Sequence, residues 1–392
     1  MKNAPSAALT TLYLALAVAP PLAMALGAPD AAVNGALPPA VRPQFSSRAF
    51  TSESYQHEST HWFEAGLGLR GVAVHVDNSI LYHAFRETKT GAPVKVGTGA
   101  LFNDEDIAYF SKTGNDLPKP EELDRLAALI KRAQVELARR GGALVPVVIP
   151  SKSTLYPDDV PPAWRQGLGF PRPSDTHVYG AFRAALERHG VTFVDARALL
   201  TQSQHPREDL WGLDGRHWSY FGACLTMRAV FETYARMSAR PAPPYECVLQ
   251  RNPAPPAWHD DYDLFRLLNV WGASPSATIT ANVAHPEAAT TKTARAPKTV
   301  FIGTSFTWAL LKDSSAAAAT QDAHFLYYNK LVVTWPTGEQ APVDPKSALW
   351  QQSVLGQDLY VLDILETYLP SQYATEFLGD LAAQLGASAE PR

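Results

Sequence analysis

Cysteine and charged residues are both scarce in this sequence. Two cysteines among 392 residues are too few to build a disulfide-dense scaffold. Charged residues make up 18% of the chain and apolar residues 46%, which excludes a wholly disordered protein. The 34 lysines and arginines are outnumbered by 38 acidic residues and form no basic run. The composition therefore argues against nucleic acid as a partner and leaves a folded protein with a large core.

The amino end has the composition of a targeting segment. Lys2 supplies a positive charge, an apolar run over residues 7–19 ends at two prolines, and small residues follow at 25–28. This order is typical of a secretory signal peptide, and an uncleaved membrane anchor is the alternative. We therefore predict a signal peptide or anchor over 1–28, an Ala/Pro-rich linker over 29–55 and a single domain over 56–392. After export, Cys224 and Cys247 either pair or stay free and buried.

Segments with strand and helix patterns alternate along the rest of the chain. Residues 121–140 place leucine, isoleucine and alanine on one helical face, and Leu144–Ile149 is a continuous apolar run of the kind found in buried parallel strands. Further strands are predicted at Val72–Val76, Val191–Asp195, Lys298–Ile302 and Asp358–Leu365, and further helices over 176–189, 218–238 and 374–385. The alternation predicts an α/β fold with a mostly parallel sheet.

Ser305 is the first candidate for catalysis. It follows the predicted strand Lys298–Ile302 and Gly303, and it would therefore lie at the start of the next helix. Exposed backbone N–H groups and the helix dipole favour negative charge at that position, so the N–H of Ser305 could stabilise an oxyanion. The alternative is that Ser305 or Thr304 only caps the helix.

A base for this serine is present in the segment before helix 218–238. Asp214 and His217 are close enough in sequence for the carboxylate to hold the imidazole and fix its tautomer. The alternative is a capping aspartate beside a surface histidine.

Four short motifs together resemble one protein family. They are Gly303–Thr307, His217–Ser219, Ile149–Lys152 and Asp363–Leu369, and they occur in matching order. The chain resembles the AlgX/AlgJ group of alginate O-acetyltransferases over roughly residues 60–370. That family writes its acid and base as Asp-x-His-Trp, whereas Asp214 lies three positions before His217 here, in the spacing Asp-x-x-His.

The resemblance implies an SGNH-hydrolase-like three-layer sandwich in circularly permuted order, with Asp and His before Ser. It implies Ser305 as nucleophile, His217 as base and Asp214 as the residue that orients His217. The implied function is the transfer of acetyl groups onto an exported polysaccharide, alginate-like or another, in the periplasm and without metal or cofactor. The implied partners are this exopolysaccharide, a membrane O-acyltransferase that delivers the acetyl donor, and other polysaccharide secretion proteins.

Four more residues are candidates for substrate binding. Lys152 and Tyr156 follow the carboxyl end of a predicted strand, where the sites of α/β proteins assemble. Tyr328 and Asn329 follow the helix after Ser305, and we expect them to line the cleft, with Asn329 as a second oxyanion donor.

Several alternatives stay open from the sequence. Asp175 and His177 spell Asp-x-His but suit a helix start, and His57, Glu58 and His61 match the H-E-x-x-H pattern of zinc proteases without its continuation. An acetylesterase would share the whole triad and use water as acceptor. A protein that binds or assembles polysaccharide without catalysis is the third possibility.

Overall fold

The computed structural model describes residues 4–35, 40–89, 93–111, 117–161, 178–252, 262–274, 280–284, 296–312 and 319–387. The chain forms two compact units. The first contains Met1–Val94 and Phe265–Ala273, and the second contains Lys95–Leu264 and Ser274–Arg392. The predicted limits at residues 28 and 55 stay a prediction, although helix Ser47–Thr51 lies inside the predicted linker.

The first unit consists of helices: α1 Ala4–Leu26, α2 Ser47–Thr51, α3 Ser54–Gly66 and α4 Arg70–Ile80, which a π-helical turn extends over Leu81–Phe85. Residues 8–26 of α1 are long and apolar enough to cross a membrane, and a signal sequence passes the same test. Helix α1 contains both prolines, Pro20 and Pro21, that follow the apolar run. The predicted strand Val72–Val76 is wrong, because these residues belong to α4, where Gly71 and His75 share the buried side one turn apart.

The second unit is built around a mixed sheet. The strands are β1 Val94–Val96, β2 Leu101–Asn103, β3 Ala143–Ile149, β4 Val194–Asp195, β5 Val248–Asn252, β6 Thr280–Ala284, β7 Lys298–Gly303, β8 Gln321–Tyr327, β9 Leu331–Thr334, β10 Gln340–Pro342 and β11 Leu359–Leu365. Within the described residues the main sheet has the order β10-β9-β8-β7-β11-β3-β4. Strands β8, β7, β11, β3 and β4 run parallel, and β9 and β10 add antiparallel pairs at one edge. Strands β5 and β6 form a separate antiparallel pair.

Helices cover both faces of this sheet. The α-helices from residue 104 onward are α5 Asp104–Ser111, α6 Pro120–Arg139, α7 Lys152–Leu155, α8 Val178–Arg188, α9 Ala196–Thr201, α10 Arg207–Leu210, α11 Tyr220–Ser238, α12 Asp263–Leu267, α13 Thr307–Lys312, α14 Ala348–Val354 and α15 Gln372–Ala387. Alternate residues of β7 point to opposite faces: Phe301 packs with residues of α11, whereas Val300 and Ile302 pack with residues of α6, α8 and α15. The predicted three-layer sandwich with a mostly parallel sheet is therefore confirmed.

The long predicted elements are also confirmed to within a few residues. The helix expected over 121–140 is α6, and the strands expected at Leu144–Ile149, Lys298–Ile302 and Asp358–Leu365 are β3, β7 and β11. Strands β8 to β10 were not predicted: β9 and β10 are short, and the sequence of β8 begins with two polar residues, Gln321 and Asp322. The carboxyl ends of the parallel strands lie at one edge of the sheet, so the loops after β7, β11 and β3 are neighbours.

A disulfide joins Cys224 in α11 to Cys247, the residue before β5. Of the two states that the sequence left open, the structure has the paired one. The bond fixes the β5–β6 pair to the helix that follows His217.

Candidate active site

Ser305 lies in the tight turn between β7 and α13. At Gly303 a Cβ atom would come within 2.4 Å of Asp363 Cβ and 2.6 Å of Asp363 Oδ2, so no larger residue fits there. The Asp363 carboxylate accepts hydrogen bonds from Thr304 N at 2.9 Å and from Thr307 Oγ1 at 3.0 Å. The aspartate of β11 thus binds the backbone before Ser305 and a side chain after it.

Asp363 is buried, and its carboxyl group has a shifted pKa. Burial raises the pKa to about 6, against the hydrogen bonds from Thr304 and Thr307 and the charge of His217, which lower it. A hydrogen bond from Thr304 Oγ1 at 2.9 Å adds to the backbone one. The turn that carries Ser305 therefore rests on a group that changes its charge near pH 6.

His217 is held by a loop that packs on the same turn. The indole N–H of Trp218 donates to Phe306 O at 3.0 Å, and that of Trp211 donates to Arg216 O at 3.1 Å. The His217 ring meets the Phe306 ring edge-on, with centroids 4.9 Å apart. Both tryptophans are fully buried. The histidine loop and the serine turn are therefore parts of one packed core.

These contacts place an imidazole between a hydroxyl and a carboxylate. His217 Nε2 lies 2.8 Å from Ser305 Oγ, and His217 Nδ1 lies 2.8 Å from Asp263 Oδ2. Asp263 Oδ1 also accepts the backbone N–H of Arg216 at 2.6 Å, which fixes the carboxylate beside the ring. The His217 side chain is 15% exposed and that of Asp263 29%, and Ser305 is also partly exposed, so the series is open to a small substrate. Such a series can take a proton from the serine while the carboxylate stabilises the imidazolium.

Asp214 does not hold His217 as predicted. Its carboxylate, 4% exposed, accepts a hydrogen bond from Ser274 Oγ, and its backbone oxygen accepts Leu264 N at 3.1 Å. The turn directs the Asp214 side chain inward. The carboxylate that contacts His217 Nδ1 is that of Asp263, 46 positions after His217. The predicted hydrogen bond of Asp214 to His217 is therefore wrong. The order of the chain is His, Asp, Ser, and the histidine still precedes the serine.

Lys152 and Tyr156 are structural in this arrangement, contrary to the prediction that they bind substrate. Both are fully buried. Lys152 Nζ donates to Leu213 O at 2.6 Å and to Gly215 O at 2.7 Å, and Tyr156 Oη donates to Trp211 O at 2.5 Å. All three acceptors belong to the loop that carries His217. The two residues stabilise the histidine loop, because they supply hydrogen-bond donors to backbone carbonyl groups that would otherwise be buried without a partner.

Tyr328 and Asn329 differ in position. The Tyr328 ring lies 6.1 Å from that of Tyr368, whose hydroxyl is 3.3 Å from Arg216 Nη2 beside the histidine. Tyr328 therefore stays a candidate for substrate contact. The amide nitrogen of Asn329 donates to Asp380 Oδ2 at 3.4 Å, on α15. The structure turns that group toward α15 and gives no support to the second oxyanion donor that the sequence suggested.

Of the two competing motifs, the structure describes only the one on α3. Asp175 and His177 lie outside the described residues. His57, Glu58 and His61 are exposed on α3, and in the parts of the chain that the structure describes no three His, Cys, Asp or Glu side chains are grouped to hold a metal ion.

Asp263 was missed in the sequence because its surroundings carry no motif. It follows a Pro-rich segment and opens a helix of five residues, and an acidic residue at a helix start is common. Only the fold brings it to His217.

The fold and the hydrogen-bonded series of serine, histidine and aspartate define a hydrolase-like protein of the SGNH class. Residues 101–325, more than half of the chain, match the family model described as "SGNH hydrolase-like domain, acetyltransferase AlgX", and the protein belongs to this family. It is 32% identical over 145 residues to the probable alginate O-acetylase AlgJ of Pseudomonas aeruginosa, a match that covers 36% of this chain and 32% of that protein. The chain thus matches about a third of the length of this relative.

Similar solved structures include two Pseudomonas proteins and one from Bacillus cereus. The O-acetyltransferase domain of Pseudomonas putida AlgJ has a TM-score of 0.46 and 20% identity and covers 75% of this chain and 99% of its own. Pseudomonas aeruginosa AlgX has a TM-score of 0.44 and 14% identity, with 73% and 66% covered. Bacillus cereus PatB1 has a TM-score of 0.44 and 10% identity, with 72% and 98% covered. The family assignment rests on the match over residues 101–325.

Proposed function

We propose that the protein is an O-acetyltransferase that acts on an exported polysaccharide. The observation that carries the proposal is the series Ser305–His217–Asp263, with hydrogen bonds of 2.8 Å on both sides of the imidazole, in a member of the AlgX family. The apolar helix at the amino end supports export to the periplasm, by a signal peptide or on an anchor. A membrane O-acyltransferase is the proposed source of acetyl groups, and other secretion proteins are the proposed partners.

The first half of the reaction forms an acetyl-serine. His217 Nε2 takes the hydroxyl proton of Ser305, and Oγ attacks the carbonyl carbon of an acetyl ester or thioester donor. The tetrahedral intermediate carries its negative charge near the backbone N–H of Ser305, because the N–H groups of Thr307 and Trp308 at the start of α13 already donate to Thr304 O and Ser305 O. When the intermediate collapses, the bond to the leaving group breaks, and His217 gives its proton to that group. Asp263 stabilises the imidazolium during this step.

The second half transfers the acetyl group to the acceptor. A sugar hydroxyl loses its proton to His217 and attacks the acetyl carbon. Collapse breaks the bond to Ser305, releases the acetylated sugar and returns the proton to Oγ. Water in place of the sugar would give free acetate, which is the esterase reaction.

The serine is tested with a chromogenic aryl acetate. Ser305→Ala should lower acetyl release more than about 100-fold and leave the fold intact, because a nucleophile is removed. Ser238→Ala, at the end of α11 where the hydroxyl donates to Tyr234 O, is the matched control and should keep full activity. Equal activity of Ser305→Ala and the wild type would refute the serine mechanism and favour a polysaccharide-binding protein.

The acceptor is tested with the same proteins. With an acetyl donor and oligosaccharides of uronic acids or glucose, the wild type should yield acetylated sugar in preference to free acetate. Free acetate alone with every acceptor would favour the esterase.

A further inference from the structure

Three aromatic residues are attached through their backbone to the turn that carries Ser305. Trp308 N, in the first turn of α13, donates to Ser305 O at 3.1 Å. Tyr327, the last residue of β8, pairs with Gly303 in the sheet. Tyr328 N donates to Gly303 O at 2.7 Å. All of these residues belong to the second unit, as does the proposed catalytic series.

The rings of these residues are part of a continuous row. The Trp308 ring centroid lies 5.9 Å from that of Tyr327 and 6.4 Å from that of Trp335, which follows β9. The Tyr328 ring centroid lies 4.7 Å from that of Tyr327 and 6.1 Å from that of Tyr368, which follows β11. All five residues are partly exposed. We call this row the aromatic strip; its members in spatial order are Trp335, Trp308, Tyr327, Tyr328 and Tyr368.

The backbone at the middle of the strip is strained. Tyr328 has a φ of 50° and Asn329 a φ of 52°, a left-handed conformation that is unusual for a residue as bulky as tyrosine. Consecutive residues of a strand point to opposite faces, but the turn at Tyr328 places its ring beside that of Tyr327. Strained backbone of this kind is concentrated at binding and catalytic sites.

The strip ends at polar side chains beside His217. Tyr368 Oη donates to Glu105 Oε2 at 3.0 Å, and Arg216 Nη2 donates to the same oxygen at 2.6 Å. Burial raises the pKa of Tyr368, so its hydroxyl keeps its proton as a donor. The Glu105 side chain is 55% exposed and that of Arg216 25%, so both groups can bind further hydroxyls from the solvent side.

Flat rings that end at such polar groups are suited to sugars. An aromatic ring offers a rigid apolar surface to the C–H face of a pyranose, while tyrosine hydroxyls and charged groups bind the hydroxyls at its edge. Five rings in succession, 4.7–6.4 Å apart, extend beyond a single sugar. The strip therefore suits a chain of several sugars better than a monosaccharide.

We propose that the aromatic strip binds the acceptor as an extended chain of pyranose rings and brings a hydroxyl of that chain to Ser305. The proposal rests on the proposed function in that the chain is taken as the acetyl acceptor. The chemistry shared by the candidate polymers is the apolar face of the ring, so glucans and uronic acid chains form separate arms of the test.

The test measures binding by calorimetry with the full-length Ser305→Ala protein, which cannot form the acetyl-serine. The ligands are cello-oligosaccharides and oligomannuronates of two and six rings. For the chain type that fits, the six-ring ligand should bind about tenfold more tightly than the two-ring ligand, because it covers more of the strip. Trp335→Ala in this background should weaken binding of the six-ring ligand about tenfold, since one aromatic anchor is lost, and Trp335→Phe should restore most of it. Phe193→Ala is the control, because the partly exposed Phe193 lies beside the edge strand β4, three strands from β7.

A second variant separates loss of the strip from unfolding. Glycine readily adopts the φ of 50° at Tyr328, so Tyr328→Gly removes the ring and keeps the turn. It should also weaken the six-ring ligand about tenfold, whereas Phe193→Ala should bind it as tightly as the parent protein. Unchanged affinity in both Trp335→Ala and Tyr328→Gly, or no binding of either chain type, would overturn the role of the strip. The measurement needs no turnover, so it tests the strip even if Ser305 proves not to be a nucleophile.

Discussion

At the residue scale, two aspartates lie near His217 and differ in what their carboxylates contact. Asp263 accepts from His217 Nδ1, and Asp214 accepts from Ser274. Asp263→Asn should lower kcat by about 10²–10⁴-fold, because the imidazolium loses its partner. Asp214→Asn should change kcat less than about tenfold, since an amide oxygen can still accept from Ser274. Turnover and melting temperature are measured side by side for both variants, and a silent Asp263→Asn beside an inactive Asp214→Asn would restore the original prediction.

Two buried residues also show why the role of a side chain is hard to predict from sequence. Lys152 and Tyr156 follow the carboxyl end of β3, a position at which α/β proteins often have substrate-binding residues. Their polar atoms bind carbonyl groups of the histidine loop instead. A motif thus predicts that a residue lies near a site, but the packing of the fold determines what its side chain contacts.

At the element scale, the disulfide connects the helix after His217 with the strand that leads toward Asp263. The Arg251 guanidinium of β5 also binds the Asp209 carboxylate in front of the histidine loop, at 2.7 and 3.1 Å. Replacing both Cys224 and Cys247 by Ala should lower the free energy of unfolding by about 3 kcal/mol, because the bond closes a loop of 23 residues in the unfolded chain. Denaturant titrations with and without reductant check this. Reductant should destabilise the wild type and leave the double variant unchanged; no effect on the wild type would contradict the expectation.

At the scale of the whole molecule, two buried carboxyl groups make stability depend on pH. Burial raises the pKa of Asp106 to about 6, against the charges of Arg216 and Lys152, and burial raises that of Asp363 to about 6. The unfolded chain releases these protons near pH 4, so between about pH 4 and 6 the folded state binds more protons. The contribution of these two protonated carboxyl groups to the free energy of unfolding is therefore fully present below pH 4 and is lost as pH rises through 6.

Asp106→Asn isolates one of these groups. The free energy of unfolding of the wild type should fall from pH 4 to pH 7, and that of the variant should fall less. The two decreases should differ by at most about 3 kcal/mol, since the pKa of Asp106 is shifted by about two pH units. Asp104→Asn is the control, since Asp104 begins the same helix with a half-exposed side chain. Denaturant unfolding at a series of pH values gives both slopes. The same dependence of the free energy of unfolding on pH in the wild type and in Asp106→Asn would refute the expectation.

The sequence by itself determined the α/β class, the long helices and strands, and the serine and histidine that lie 2.8 Å apart. Each of these follows from local signals: hydrophobic periodicity, glycine at a tight turn, and a polar segment before a helix. It did not determine strands β8 to β10, whose pairing depends on the strands already in the sheet.

Only the tertiary structure decided which carboxylate faces His217. Asp214 is near in sequence, but the turn that carries it points its side chain toward Ser274. Asp263 lies 46 positions away from His217 and reaches it because the start of α12 is hydrogen-bonded to the histidine loop, through Arg216 N and Asp214 O. A contact of that separation leaves no periodicity or spacing in the sequence, since it results from the packing of whole elements.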